Sequence, residues 1–404
     1  MNVPGLTPAA ADSRRIQHEM AATVTTFMTR HEPAKREALA IDDGFKLVTS
    51  KGGARAFTRR ADNSSFNELL VLDSLCMTLD EVIELKYAGT TDVFRVQMAL
   101  FYADNFLDAA VMHTAQTATD TDPGQWFGIK YKKLLIPNSG FSDCRDVIYY
   151  EYMATTTDSA GHRTLLLMRD SSYLETYPTQ PNSVRMFLRA IFVYTEIEPG
   201  RVESMHLAFM NPCGNMPAFL FNKQMLKYAG SCAKFPAFLQ QKRLILLVQS
   251  QPVPRRRPDR HRCAVCDVKI SGLKARYNCR ACGDLMCAGC LVVVPRPVYS
   301  KLPPAVSKDD YCKRCFIGTA RVRRSSLGSP HRPSMAPSTF AAQLAQSERP
   351  RRSKRLVDDS AVGTADDSAV GTLQRPDPFE QMQRALETQK QLVSQMQERL
   401  RAQP

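Results

Sequence analysis

The chain is 404 residues long with 44% hydrophobic and 8% aromatic content, which suits two or three domains with at least one apolar core and excludes a wholly disordered chain. Its formal net charge of +14 is local, since residues 1–250 sum to 0, residues 251–355 to +17 and residues 356–404 to −3. A basic block of this kind points to an anionic surface, either nucleic acid or lipid headgroups.

In chain order, residues 15–40 read as a polar helix, followed by short strand-like runs at Phe45–Thr49, Ala54–Arg59 and Asn67–Leu72. Ser74–Leu85 and Thr91–Ala115 carry helical spacing. Trp126–Ile136, Asp146–Thr156, Arg163–Met168, Arg185–Glu196 and Glu203–Asn211 are rich in Tyr, Phe, Ile and Val, and predict an antiparallel block. The clearest turns in it are Asp158-Ser159-Ala160-Gly161 and Glu198-Pro199-Gly200. Residues 216–248 predict one long helix, kinked or broken at Pro236. This order predicts an α+β domain, a curved sheet with a closing helix laid across it. It resembles the START lipid-transfer family over residues ~10–248, in its element order and in the helix opening Asn215-Met216-Pro217-Ala218-Phe219-Leu220. The resemblance implies a START-like helix-grip domain over residues 1–248, with an apolar cavity for a lipid under the last helix. Apolar positions such as Phe219, Leu226 and Ala229 serve a cavity or a solid core equally well.

Residues 249–262 form a basic linker, with Pro252–Arg262 rich in Pro and Arg and expected to be extended. Beyond it the cysteines dominate. Of twelve, Cys76, Cys144, Cys213 and Cys232 are scattered and read as buried apolar residues. The other eight form four C-x-x-C pairs, at 263/266, 279/282, 287/290 and 312/315. The first thirty residues hold Arg14 and Arg15 but no apolar stretch of secretory type, and runs such as Leu244–Val248 are too short to span a bilayer. A reducing compartment is therefore expected, where paired cysteines mean metal and not disulfides. Four such pairs make two tetrahedral four-sulfur zinc sites with no open position, so the metals are structural. A segment of this size buries little core, and zinc binding of ~10–16 kcal/mol per site supplies the missing stability.

The spacing, together with Arg276-Tyr277-Asn278-Cys279-Arg280-Ala281-Cys282-Gly283, resembles the FYVE zinc finger family. Over residues 263–318 the resemblance implies a cross-braced two-zinc finger. Cys263, Cys266, Cys287 and Cys290 would hold the first ion; Cys279, Cys282, Cys312 and Cys315 would hold the second. It also implies Arg276 and Arg280 as phosphate binders for a phosphoinositide headgroup, and an apolar turret in the loop Val268–Lys274. There Ile270 and Leu273, flanked by Lys269 and Lys274, would enter the membrane; the alternative is a solvated loop with Ile270 in the finger's small core. The sequence departs from the family in lacking the leading Trp-x-x-Asp, in Tyr277-Asn278 where the family has His-His, in Ala275 for the leading basic residue, and in Asp310-Tyr311 before Cys312. These are the family's headgroup contacts, so the chain reads as a FYVE-related variant.

Residues 319–377 are Ser-, Pro-, Ala- and Arg-rich, lack periodicity and are expected to be disordered; within them Asp358–Thr364 recurs as Asp366–Thr372. Residues 378–402 predict an amphipathic or coiled-coil helix, with Phe379, Leu386, Val393 and Leu400 at a and Met382, Gln389 and Met396 at d. No Gly-rich phosphate loop, nucleophile elbow or open metal site is visible, so an enzyme is not expected. The expected function is a zinc-dependent adaptor, peripheral on endosomal or other acidic membranes from the cytoplasm, with a lipid ligand and a homodimer through 378–402. The alternative is a nuclear or scaffold protein reading protein or nucleic acid through the basic run Arg349–Arg355. That run lacks interleaved aromatics for base stacking, so a nucleic-acid partner is not expected.

Overall fold

The computed structural model describes residues 8–136, 144–175, 177–227, 229–249, 261–271, 275–298 and 305–324. All belong to one compact unit, residues 1–338. The Arg-rich stretch 251–260, Leu273, Lys274, the basic run 349–355, the repeat and the 378–402 helix lie outside the described residues. Among the described residues no helix is long and apolar enough to cross a membrane.

The N-terminal elements are α1 (Ala10–Arg30), α2 (Arg36–Asp42), β1 (Lys46–Lys51), β2 (Ala54–Arg60), β3 (Asn67–Leu75), α3 (Leu79–Lys86), α4 (Thr91–Tyr102), β4 (Phe106–Gln116), β5 (Trp126–Leu134), β6 (Cys144–Thr157), β7 (Arg163–Asp170), β8 (Ser183–Arg185), β9 (Phe187–Glu198), β10 (Arg201–Asn211), α5 (Ala218–Leu226) and α6 (Phe235–Gln249). The strands form one sheet in the order β1-β2-β3-β10-β9-β7-β6-β5-β4, antiparallel throughout, with β8 added in parallel beside β6. Bulges in the β1–β2 and β4–β5 ladders bend its two ends.

Both faces of the sheet are covered, which explains why several strands are apolar without interruption rather than alternating. Along β7, Leu165 and Leu167 join the cluster under α3 and α6, while Leu166 and Met168 face the other way, toward Ile16, Met20 and Val24 of α1. Those three recur every four residues, the spacing of one helical stripe. Along β3, Leu69 and Val71 belong to the cluster that includes α4 and α5, and Leu70 and Leu72 to the cluster with Ala40 of α2.

Three sequence expectations are corrected. Helical spacing over Ser74–Leu85 hides a boundary: β3 continues through Leu75, and α3 starts only after Thr78. There the Thr78 hydroxyl accepts from the Glu81 amide at 3.2 Å and the Glu81 carboxylate accepts from the Thr78 amide at 3.2 Å. Thr91–Ala115 is not one helix. It ends at Tyr102, the chain turns at Ala103 with φ +46°, and β4 follows. Residues 216–248 are two helices, and the break is not at Pro236. A 3-10 turn over Ala229–Lys234 separates α5 from α6, and Pro236 sits in the first turn of α6, where a missing N–H costs nothing. Of the four scattered cysteines only Cys232 is buried; Cys76 is exposed.

The C-terminal part contains β11 (Tyr277–Asn278), β12 (Leu285–Met286), β13 (Leu291–Pro297), β14 (Val306–Cys312) and α7 (Lys313–Arg324). It is not held apart by the linker. Ile270, Leu285, Met286 and Tyr311 share one apolar cluster with Val96 and Leu100 of α4 and Leu244, Ile245 and Val248 of α6. At the rim, Lys308 of β14 pairs with Asp104 at 3.0 Å.

Candidate functional site

Two features carry chemistry, a pair of cysteine clusters and an internal cavity. The eight paired cysteines separate into the groups Cys263, Cys266, Cys287, Cys290 and Cys279, Cys282, Cys312, Cys315, and in each the sulfur atoms lie within 4.8 Å of one another. The first and third pairs meet, as do the second and fourth, which is the interleaving the family resemblance implied. The local folds explain it. The β11–β12 hairpin carries Cys279 out at one end and delivers Cys287 at the other. The β13–β14 ladder sets Leu291 opposite Cys312, so Cys290 of one group and Cys312 of the other are tied to the same rung. Cys315 follows in the first turn of α7. Gly283 has φ +74° and returns its amide to the Cys279 carbonyl at 2.8 Å, a bend that a side chain would strain.

The residues fit a metal. A tetrahedron with ~2.3 Å metal–sulfur bonds has edges of about 3.8 Å; Cys266 Sγ and Cys287 Sγ are 3.7 Å apart, and Cys282 Sγ and Cys312 Sγ are 4.0 Å apart. Backbone amides of Val265, Cys312 and Cys315 donate to the sulfurs of Cys263, Cys279 and Cys312 at 3.3–3.4 Å, which favours thiolates there. Four soft donors per group suit zinc and leave no position for a substrate.

Around the finger the predicted membrane residues fare unevenly. Lys269 and Arg276 are exposed. Ile270 is not: it is 2% accessible, packs into the cluster shared with α6, and donates its amide to the His261 carbonyl at 2.7 Å. Among the described residues of that loop, the exposed apolar one is Val268, at 54%. Arg280 is also committed elsewhere. It and Arg296 converge on Asp309 Oδ2 at 2.9 and 2.6 Å, so its guanidinium already has an anion.

The cavity lies on the face of the sheet roofed by α5 and α6 and has a volume of about 790 Å³. Its apolar wall includes Leu69 and Val71 from β3, Met210 from β10, and Phe221, Met225 and Phe238 from the roof. Its polar wall was not foreseen. Lys86, Lys132, Arg169 and His206 line it; Lys86 and Lys132 are buried and His206 half-buried, and for these three desolvation disfavours the protonated form. Burial pushes both lysine ammoniums down to about 7. Glu151, behind the wall, is bound by Lys130 and accepts from Arg169 Nε at 2.6 Å. Burial alone would raise its pKa; the two cations reverse that and bring it down to about 2.

Two signals in the sequence marked this wall. β5 carries three lysines among apolar residues, and two of them, Lys130 and Lys132, alternate and so share a face; Lys86 ends α3 directly after Leu85. Across the roof, Lys242 of α6 donates to the carbonyls of Glu84, Leu85 and Tyr87 at 2.6, 3.2 and 2.7 Å, capping the end of α3.

No family model and no curated protein matches the chain. Among solved structures, human StAR-related lipid transfer protein 5 is similar at 14% identity over 58% of this chain and 97% of that one, with a TM-score of 0.41. Human STARD10 is similar at 16% identity over 58% and 84%, with a TM-score of 0.34. A STAR-related lipid transfer protein from Xanthomonas axonopodis is similar at 20% identity over 50% and 99%, with a TM-score of 0.35. The strand order, the roofing helices and the cavity define the class: an α+β domain with a curved antiparallel sheet roofed by helices, joined to a segment with two four-cysteine groups able to hold metal.

Proposed function

We propose that this chain is a non-catalytic lipid-binding adaptor, which holds a lipid in its N-terminal cavity and docks a zinc-loaded FYVE-related finger on acidic membranes. The observation that carries the reading is the roofed cavity of about 790 Å³, within the ~300–1,000 Å³ range of small-molecule sites and walled mainly by aliphatic and aromatic side chains. For the finger, support comes from the +17 balance of residues 251–355 and from the exposure of Val268, Lys269 and Arg276. The committed Arg280 argues for charge-driven docking with weak headgroup preference. The cytoplasmic face of endosomal membranes, which carries phosphoinositides, is the proposed location. A dimer through the 378–402 heptads would raise avidity, since the second finger then binds at high effective concentration.

Native mass spectrometry of the full chain purified from cells tests the central claim. A protein species carrying an added mass, released on denaturation and extractable into organic solvent, is expected. A chain found only at its zinc-loaded mass, from several expression hosts, overturns the lipid-binding reading.

A further inference from the structure

Lys86 is the anomaly of the cavity. It is 6% exposed, lines the chamber, and among the described residues its ammonium has neither a carboxylate nor a hydrogen-bond acceptor. Aromatic rings surround it instead: its Nζ is 4.0 Å from the ring centre of Phe235, 5.2 Å from Phe101, 5.4 Å from Tyr194 and 5.8 Å from Phe192. Such faces offset part of the lost hydration but do not neutralise the charge. His206 packs edge-on against two of the same rings, Phe192 and Tyr194, and its buried Nε2 has no hydrogen-bond partner.

The surroundings make matters worse for a cation. Among the described residues the cavity wall includes Lys86, Lys132, Arg145, Arg169, Lys227 and Lys234, and no Asp or Glu. The buried carboxylate within electrostatic reach, Glu151, is already taken by Lys130 and Arg169. Arg169 stands 5.3 Å from the Phe192 ring that Lys86 also faces, and 5.6 Å from the Tyr149 ring, with Lys132 5.8 Å from that ring on its own account. Lys86, Arg169 and Lys132 thus follow one another around the chamber, and among the described residues the carboxylate that reaches them is Glu151.

We infer that the cavity takes an amphiphile with an anionic head, a carboxylate or a phosphate monoester, whose oxygen atoms pair with the Lys86 ammonium. This rests on the lipid-binding reading above and narrows it. An anion inserted beside Lys86 turns an uncompensated buried charge into a charge-assisted hydrogen bond. A neutral head leaves the charge as it was, and a quaternary ammonium head would meet a cage already filled by the lysine and walled by cations.

The test uses the delipidated, zinc-loaded full chain and three probes with one oleyl tail: oleate, oleoyl lysophosphatidate and oleyl alcohol, titrated calorimetrically below their micelle-forming concentrations. At least one anionic probe should bind roughly tenfold to a hundredfold more tightly than the alcohol, the scale of one buried charged hydrogen bond. Oleate alone, or lysophosphatidate alone, tells which head the site accepts, and either supports the inference. Lys86→Met should bring the anions down to the level of the alcohol without weakening the alcohol, and Lys86→Arg should retain part of the preference. Equal binding of charged and neutral probes by the wild-type chain overturns the inference while leaving a lipid cavity standing, and needs no variant to fold. An anion preference undiminished in Lys86→Met overturns it too. Binding of none of the three defeats both readings together.

Discussion

Lys130 and Lys86 are both buried lysines facing aromatic rings, yet they sit in opposite situations. Lys130 holds Glu151 and shares it with Arg169, so its charge is answered. Replacing Lys130 with Met strands part of the Glu151 charge, and a loss of about 3 kcal/mol is expected in urea unfolding of the ligand-free chain. Lys86→Met should act the other way and stabilise the ligand-free chain by roughly 1 kcal/mol, since it removes a desolvated charge that nothing in the protein repays. The pH dependence carries the same signature. Lys86 stands at about 7 in the folded chain against an ordinary 10.5, so its cost is full below pH 7 and fades as pH rises toward 10.5. The wild type should gain stability over that window relative to Lys86→Met. Glu151, held at about 2 against 4.5, contributes stability that is complete above pH 4.5 and lost as pH falls toward 2. Urea midpoints for the two variants that move in the same direction would contradict this division.

Among the elements, the roof is the least regular and the most informative. Strands were legible because turn residues such as Asp158 and Gly200 punctuate them and because β-branched and aromatic residues fill them. The Asp158 carboxylate accepts from the amides of Ala160 and His162 at 2.9 and 2.8 Å, a local turn that needs no tertiary context. The α4–β4 boundary was not legible: an alanine at φ +46° has no sequence signature, and the apolar residues beyond it fit either period. The roof misled for a related reason. Pro236 is the visible helix breaker, but proline in a first turn continues a helix, and the real break is marked by the 3-10 turn Ala229–Lys234, which passes the cavity wall. The four cysteine pairs were readable from spacing, and their grouping into two sites from the family resemblance. The cavity cations showed in the sequence only as polar breaks in apolar runs, in β5 and at the end of α3, and such breaks do not by themselves tell a cavity wall from a surface. One lysine, Lys242, helps hold the roof to α3, beside Arg243, which donates to the Glu84 carboxylate at 3.0 and 2.7 Å. Lys242→Met removes three donations to backbone carbonyls, and a loss of about 2–4 kcal/mol is expected in the same unfolding measurement. A change below 0.5 kcal/mol would mean the capping contributes nothing net.

At the scale of the whole described unit, α6 has two partners. Phe235 and Phe238 face the cavity, while Leu244, Ile245 and Val248 pack with the finger's Cys263, Ile270 and Met286. The finger's own core is small, so its metals should stabilise more than the finger. Metal analysis should find two zinc ions per chain, and Cys279→Ser should lose at least one. In that variant amide exchange should rise within residues 235–249 as well as within 263–318. Loss of zinc with unchanged exchange in α6 would show that the shared cluster transmits nothing.

The same helix cannot serve the two partners independently. If a lipid must displace α6 to pass beneath it, passage strains the contact with the finger by the free energy that the contact supplies. Thermodynamic reciprocity then applies: an acidic vesicle that changes cavity occupancy through the finger obliges the lipid to change vesicle affinity by the same factor. Cargo and destination would then be negotiated across a few methyl groups at Leu244, Ile245 and Val248.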